Sequence, residues 1–374
     1  MIEVIAISKH FKDHRVLDGI NLRVEGGETI ALFGPSGSGK TLLLRLIAGV
    51  EMPTEGDVYL RGNNVTDSGP EARGIGMAFQ NFALFPHMNA FDNIASAIVG
   101  SGMTEGQVKA RVLEVAQLLK IDQVLSHTPR ALSNGQKQRT ALARALAAKP
   151  DILLLDDPLR NVDAKLRFEM RLELPQLLAK QKASVIYVTQ DYKEAMALGD
   201  RIAVLGSEGE GLVQLGTPEE IYLSPNNLDI ATAFGDPSIN TFAVGPLWQG
   251  GQWKINVGGL SLSLPINTHP EALHTGGSYV AGIRPEHLAL SDQPGSGKLA
   301  MEVKAVTPVN EKTVVLMEGE DQLELVASIP SHQPSPARGS RIWVTVPTEQ
   351  ILLFEEASGL RVVTGGPELE GACA

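Results

Sequence analysis

The chain has 374 residues, 43% hydrophobic and 20% charged, with a formal net charge of -11. Against about 100 to 200 residues per domain this predicts two or three compact units, and the composition excludes a disordered or fibrous protein. The acidic balance without a Lys/Arg run argues against an extended surface for nucleic acid or anionic lipid, and a single cysteine, Cys373, excludes an intrachain disulfide and a cysteine metal cluster.

The opening MIEVIAISKHFKDHRV carries charges among alternating apolar residues, so it reads as a strand rather than a signal peptide. Up to about Arg23 the alternation predicts an antiparallel edge. ETIALFG then predicts a buried strand entering a glycine turn, and TLLLRLIAGV the helix that follows. From about Asn81 to Lys149 the apolar spacing is mostly helical. DILLLDD predicts a central parallel strand ending in two carboxylates, ASVIYVTQD repeats the pattern, and RIAVLG adds another strand. Ligands of open α/β sheets bind beyond the carboxyl ends of the strands, where Lys40, Asp156 and Gln190 are expected to fall. GTPEEIYLSPNN reads as a turn and short helix, and Gly, Pro and alternating β-rich segments dominate from Asp236 onward. The tail GGPELEGACA is expected to be frayed. No segment reaches the roughly 18 to 20 apolar residues that span a bilayer, so membrane association is expected only through partners.

Gly34, Pro35, Ser36, Gly37, Ser38, Gly39, Lys40 and Thr41 satisfy the phosphate-loop pattern G-x-x-x-x-G-K-[ST] between a strand and a helix, with Leu42 next on the helix. Glycines let backbone amides turn toward phosphates, Lys40 supplies a point charge for the β and γ phosphates, and the Thr41 hydroxyl can ligate Mg2+. Asp156, at the end of ILLLD, can hold the same ion directly or through water. An apolar strand ending in Asp is weak evidence alone; beside a phosphate loop it gains weight.

With LSNGQKQRTALARAL, Leu132 to Leu146, the chain resembles the ABC transporter ATP-binding subunits. The resemblance implies that Ser133, Asn134, Gly135 and Gln136 open a helix whose amino end meets the γ-phosphate held by another protomer, as its free amides and dipole permit. It implies that Phe11 stacks on adenine, that Gln80 reaches Mg2+ or water and couples to membrane subunits, and that Asn161, Val162 and Asp163 cross a dimer interface. Phe11 alone could equally be core, and Phe82 and Phe85 read first as packing residues. GTPEEIYLSPNN, FGDPSIN and GIRPEHL resemble the accessory β-domain of carbohydrate-uptake importers. The implied fold is an α/β P-loop NTPase (ABC ATPase) cassette over about 1–235, with a helical subdomain over about 81–149. A small all-β OB-like (TOBE) domain over about 236–365 and a flexible tail over 366–374 complete it. The implied setting is the cytoplasmic face of the inner membrane, with a second protomer, two permease subunits and a solute-binding protein as partners.

Three positions depart from that pattern. The glutamate expected to polarise the attacking water is Asp157, shorter by one carbon–carbon bond of about 1.5 Å. The switch histidine is Gln190, which can donate and accept but cannot become cationic. The first glycine of LSGGQ is Asn134, on the expectation that φ is positive there and that Asn is the least penalised replacement. Binding of ATP and Mg2+ is expected to survive these changes while turnover falls. Two readings stay open, an importer ATPase and a nucleotide-binding partner of a second, catalytic ATPase. A soluble ABC protein of translation or DNA repair is disfavoured by the single phosphate loop.

Overall fold

The computed structural model describes residues 1–12, 14–264 and 273–362. The chain divides into two compact units, Met1–Glu220 and Ile221–Ala374. The expected frayed tail, 366–374 with Cys373, lies outside the described residues.

In the first unit β1 (Ile2–Phe11) and β2 (His14–Val24) pair antiparallel, as their alternation predicts. The fully buried β3 (Thr29–Phe33) runs through the phosphate loop into α1 (Lys40–Ala48). Then come β4 (Glu55–Leu60), β5 (Asn63–Asn64), α2 (Pro70–Arg73) and β6 (Gly76–Ala78). The helical stretch holds α3 (Ala90–Ala95), α4 (Glu105–Leu118) and α5 (Asn134–Ala147). It returns to the sheet through β7 (Ile152–Asp156), α6 (Ala164–Gln181), β8 (Ser184–Val188), α7 (Tyr192–Leu198), β9 (Arg201–Leu205) and β10 (Leu212–Gly216).

The central sheet has the order β10-β9-β3-β8-β7-β6. Every pairing from β9 to β6 is parallel, and β10 is antiparallel at the edge. β3, β7 and β8 are buried along their whole length, which is why they read as continuous apolar runs instead of alternating ones. A second, antiparallel sheet of order β2-β1-β4-β5 packs Ile2, Val4, Ile20 and Val58 with Leu43, Leu44 and Ile47 of α1. The helical stretch buries Ile94, Val112, Leu119 and Leu142 together with Leu153 and Leu155 of β7. Its polar ends are capped from the sequence: Thr104 and Ser133 each form a reciprocal capping box with the residue three positions on.

The second unit is β-rich and antiparallel throughout its described pairings. Its largest sheet joins Ala289–Ser291, Arg341–Thr345, Lys298–Val309, Lys312–Glu318 and Glu324–Pro330. Alternation decides which face is buried: in Lys312–Glu318 the inward residues are Thr313, Val315 and Met317. The helix Leu228–Ala233, placed with the cassette in the sequence reading, packs Ala231 against Ile239 and Phe354 of this second unit. Arg284, in the GIRPEHL segment, is buried and donates to the carbonyls of Ala231 (2.8 Å), Tyr222 (2.7 Å) and Phe234. The compact division therefore falls near Glu220, since these helix carbonyls find their donor in the β-rich unit.

Candidate nucleotide site

The phosphate loop is shaped by positive φ. Gly39 has φ +87°, and a Cβ there would lie 2.5 Å from Leu17 Cδ2; Gly34, at φ +154°, would press one to 2.6 Å from the Leu205 carbonyl oxygen. Only glycine satisfies both the backbone and the space. The Lys40 ammonium, buried by the loop that curls around it, donates to the carbonyls of Gly34 (2.8 Å) and Pro35 (2.5 Å) and to Ser38 Oγ (3.1 Å). Burial lowers its pKa, and the nearby Asp157 and Asp156 oppose that shift.

Thr41 Oγ1 donates to Asp156 Oδ1 at 2.9 Å, which joins the first turn of α1 to the end of β7. The Asp156 carboxyl is raised above its ordinary range by burial, opposed by the Thr41 hydroxyl, Arg45, the Gln80 backbone and Lys40. Next to it Asp157 has φ +49°, a region where Asp is one of the better tolerated residues. Its amide donates to the Val188 carbonyl at 3.0 Å. Burial, then the neighbouring Glu194, pushes the Asp157 carboxyl up to about 6, against the pull of Arg160, whose Nη1 lies 3.9 Å from Asp157 Oδ2.

These groups share one cleft of ≈ 400 Å³ lined by Phe11, Ser36, Gly37, Gly39, Lys40, Thr41, Leu42, Arg45, Gln80, Asp156, Asp157, Arg160, Val188 and Gln190. That is the size range of a small-molecule pocket, about 300 to 1,000 Å³. Phe11, 48% exposed at the end of β1, stands at the cleft as an open ring instead of joining the core. Gly34, Pro35 and Ser38 act from behind, as the acceptors that hold Lys40. Gln80 follows β6, whose Ala78 pairs with Leu155 of β7, so sheet register brings Gln80 beside Asp156.

Ser133, Asn134, Gly135 and Gln136 do not line this cleft. Ser133 is the N-cap of α5: its Oγ accepts from the Gln136 amide at 3.3 Å, and Gln136 Oε1 accepts from the Ser133 amide at 2.9 Å. Asn134 is the first residue of the helix, and neither it nor Gly135 has a positive φ. The expected left-handed backbone at Asn134 is thus absent, and its side chain is accommodated as an ordinary helical one. The tight neighbour is Gly135, where a Cβ would lie 3.0 Å from the Asn161 carbonyl oxygen. Phe85 also departs from its packing assignment: it is 43% exposed, with the Arg144 guanidinium 5.6 Å from its ring centroid.

Sequence reasoning missed Gln138, Arg45, Arg160 and Glu194. Gln138 is buried on α5; its Nε2 donates to the Asp157 carbonyl at 2.7 Å and its Oε1 accepts from the Asn161 amide at 2.8 Å. It clamps the turn that presents Asp157. A polar residue on an inward helical position was the only available signal, and its partners, 19 and 23 positions away, come near only through the fold.

Comparison with known proteins agrees with this architecture. The family described as ABC transporter matches residues 17–160, and the TOBE domain matches residues 281–354. The chain is 39% identical over 350 residues to the sn-glycerol-3-phosphate import ATP-binding protein UgpC of Escherichia coli strain K12, covering 93% of this chain and 95% of that protein. The UgpC of Pectobacterium atrosepticum is 38% identical over 364 residues, covering 96% and 99%. Among solved structures, the dimeric bacterial ABC transporter cassette MJ0796 superposes with a TM-score of 0.55 at 31% identity, over 58% of this chain and 99% of that one. A glycine-shaped phosphate loop facing a paired Thr41 and Asp156, with these relatives across nearly the whole length, settles the assignment: the chain belongs to the ABC transporter ATP-binding subunits, with an ABC ATPase cassette followed by a C-terminal TOBE domain.

Proposed function

We propose that the chain couples ATP binding and hydrolysis to the import of a small solute, a sugar, polyol or polyol phosphate, the last supported by its similarity to sn-glycerol-3-phosphate import proteins. The observation that carries this reading is the convergence of Lys40, Thr41, Gln80, Asp156, Asp157 and Gln190 on one cleft while the start of α5 stands outside it. A second protomer would then supply Ser133 to Gln136, whose helix start presents amides and a favourable dipole end to an anion.

In this mechanism Lys40 exchanges the Gly34 and Pro35 carbonyls for phosphate oxygens, and the loop amides of 36–41 hold the β-phosphate. The hydroxyl and carboxylate oxygens of Thr41 and Asp156, 2.9 Å apart, with Gln80 beside them, suit a hard divalent cation, and burial leaves the carboxylate in want of positive charge. Mg2+ there would neutralise charge on the phosphates. Asp157 accepts the proton of the attacking water, Gln190 orients that water and the γ-phosphate, and Phe11 offers a face for the base. The permeases, engaged near Gln80 and the exposed Phe85, and a solute-binding protein complete the assembly at the inner face of the membrane. Among the described residues no helix is long and apolar enough to cross a membrane.

The test is phosphate release from Mg2+-ATP by the full-length chain assembled with its permease partners. The reading requires turnover above a Lys40→Ala control and stimulation by transported solute; its absence from the complete assembly rejects it. The short Asp157 side chain favours a second reading, a nucleotide-binding partner of a separate catalytic ATPase. That reading requires a heteromeric complex whose turnover survives Lys40→Ala in this chain.

A further inference from the structure

Two walls of the cleft are each held from behind by a residue that does not line it. One wall is the loop after β7, which presents Asp157 and Arg160; the other is the end of β8, which presents Val188 and Gln190. Arg167 on α6 grips the first: its Nη2 donates to the carbonyls of Arg160 and Val162, both at 3.1 Å. Glu194 on α7 grips the second. Its carboxylate, 2% exposed, accepts from Tyr187 OH at 2.9 Å and Thr189 Oγ1 at 3.0 Å, and Thr189 Oγ1 in turn accepts from the Asp191 amide at 3.0 Å. The residues on both sides of Gln190 therefore depend on this one carboxylate.

The two grips face each other. Arg167 Nε lies 3.8 Å from Glu194 Oε1, beyond hydrogen-bond length, and that buried Nε has no hydrogen-bond partner among the described residues. An unpaired donor beside a buried carboxylate is costly, and closing the gap by under 1 Å would relieve it. One helical turn further along α6, Arg171 holds Asp191 Oδ2 at 2.5 Å, so two guanidinium groups of one helix face the segment around Gln190, but only Arg167 also holds the Asp157 side.

We propose that Arg167 and Glu194 are positioning residues that set the spacing between the Asp157–Val162 loop and Gln190, so that displacement of the loop moves Gln190 relative to the attacking water. This deepens the ATPase reading and rests on it. The charge pair acts through backbone carbonyls on one side and a strand end on the other, which is the geometry that transmits a shift instead of merely filling a core.

The test uses the full-length chain, with Arg167→Met, Arg167→Lys and Glu194→Gln compared with Arg171→Met. Because a misplacement of about 1 Å can cost about 100-fold, Arg167→Met is expected to lower kcat by about that factor with the KM for ATP within about threefold, and Arg167→Lys to recover part of it. Backbone amide exchange provides a readout independent of turnover: Arg167→Met and Glu194→Gln should each accelerate exchange on the wall they do not touch, by about tenfold, while Arg171→Met leaves 157–163 at the wild-type rate. Unchanged exchange at 189–191 in Arg167→Met overturns the proposal, as does a kcat loss matched by an equal rise in KM and not relieved by Arg167→Lys. If the complete assembly shows no turnover above Lys40→Ala, the ATPase reading falls and the exchange measurement alone decides the link.

Discussion

The two sides of the nucleotide cleft are built on different principles. On the phosphate-loop side backbone geometry does most of the shaping: glycines at positive φ turn the chain, and the buried Lys40 ammonium is met by three acceptors. Behind it Arg73, fully buried, holds the end of α1 by donating to the carbonyls of Leu46 and Ile47 at 2.8 Å and to those of Ser68 and Thr66 at 2.9 Å. On the opposite side Asp156, Asp157 and Glu194 are buried acids with raised pKa values; Gln138 of α5 and Arg167 of α6 hold the turn that follows β7, and Thr189 holds Glu194. The binding wall is internally satisfied. The hydrolytic wall holds charge that costs free energy until cation, phosphate or water engages it, which is where a catalytic site is expected to store its misfit.

Breaking the hydrolytic wall should have the largest effect. Asp157→Asn removes the proposed base and is expected to lower kcat by about 100- to 10,000-fold in a phosphate-release assay, with nucleotide affinity retained because Lys40 and the loop are untouched. The cradle, by contrast, fails through stability: Arg73→Met leaves buried carbonyls without their donor and should cost about 3 kcal/mol in urea unfolding.

The same Asp157→Asn change should stabilise the nucleotide-free chain. Its carboxyl is raised from 3.8 to about 6 in the folded protein, so the folded state binds that proton more tightly than the unfolded one. The associated stability is fully present below about pH 4 and is lost as pH rises through about 6. Asparagine carries no such penalty, so its gain should reach about 3 kcal/mol at pH 8 and disappear near pH 4, as read from urea midpoints across that range. A constant gain at all pH values would deny the hydrolytic wall its charge strain.

A smaller change sharpens the comparison from the other direction. Asp157→Glu restores the reach of the missing methylene and is expected to raise turnover about tenfold, less than the full range of general-base catalysis because glutamate is a poorer fit at φ +49°. No increase would show that side-chain length is not limiting. The smallest effect belongs to a residue outside the cleft: Ser133→Ala deletes the capping box of α5 and should cost about 1 kcal/mol of stability, seen as a lowered Tm.

Much of this was legible before any coordinates. The phosphate loop is contiguous, so its glycines and Lys40 announce the geometry, and apolar runs ending in polar residues located Asp156 and Gln190 at strand ends. Asn134 misled because a glycine in a motif suggests a left-handed backbone, whereas α5 begins there in ordinary helical conformation and the steric demand falls on Gly135. The helices near Tyr222 and Ala231 were placed with the cassette because they precede the glycine-rich change in texture; their carbonyls are held by Arg284, some fifty to sixty positions later.

Local pattern by itself determined the strand-turn-helix cradle, the cap of α5 and the alternating faces of the β-rich unit, because glycine φ, capping and side-chain period are properties of neighbouring residues. Only the tertiary structure decided that Gln138 clamps the Asp157 turn, that Arg167 and Glu194 face each other behind the cleft, and that Asp157 titrates near 6. Desolvation and long-range hydrogen bonding depend on which distant segments are packed together, and no spacing along the chain records that.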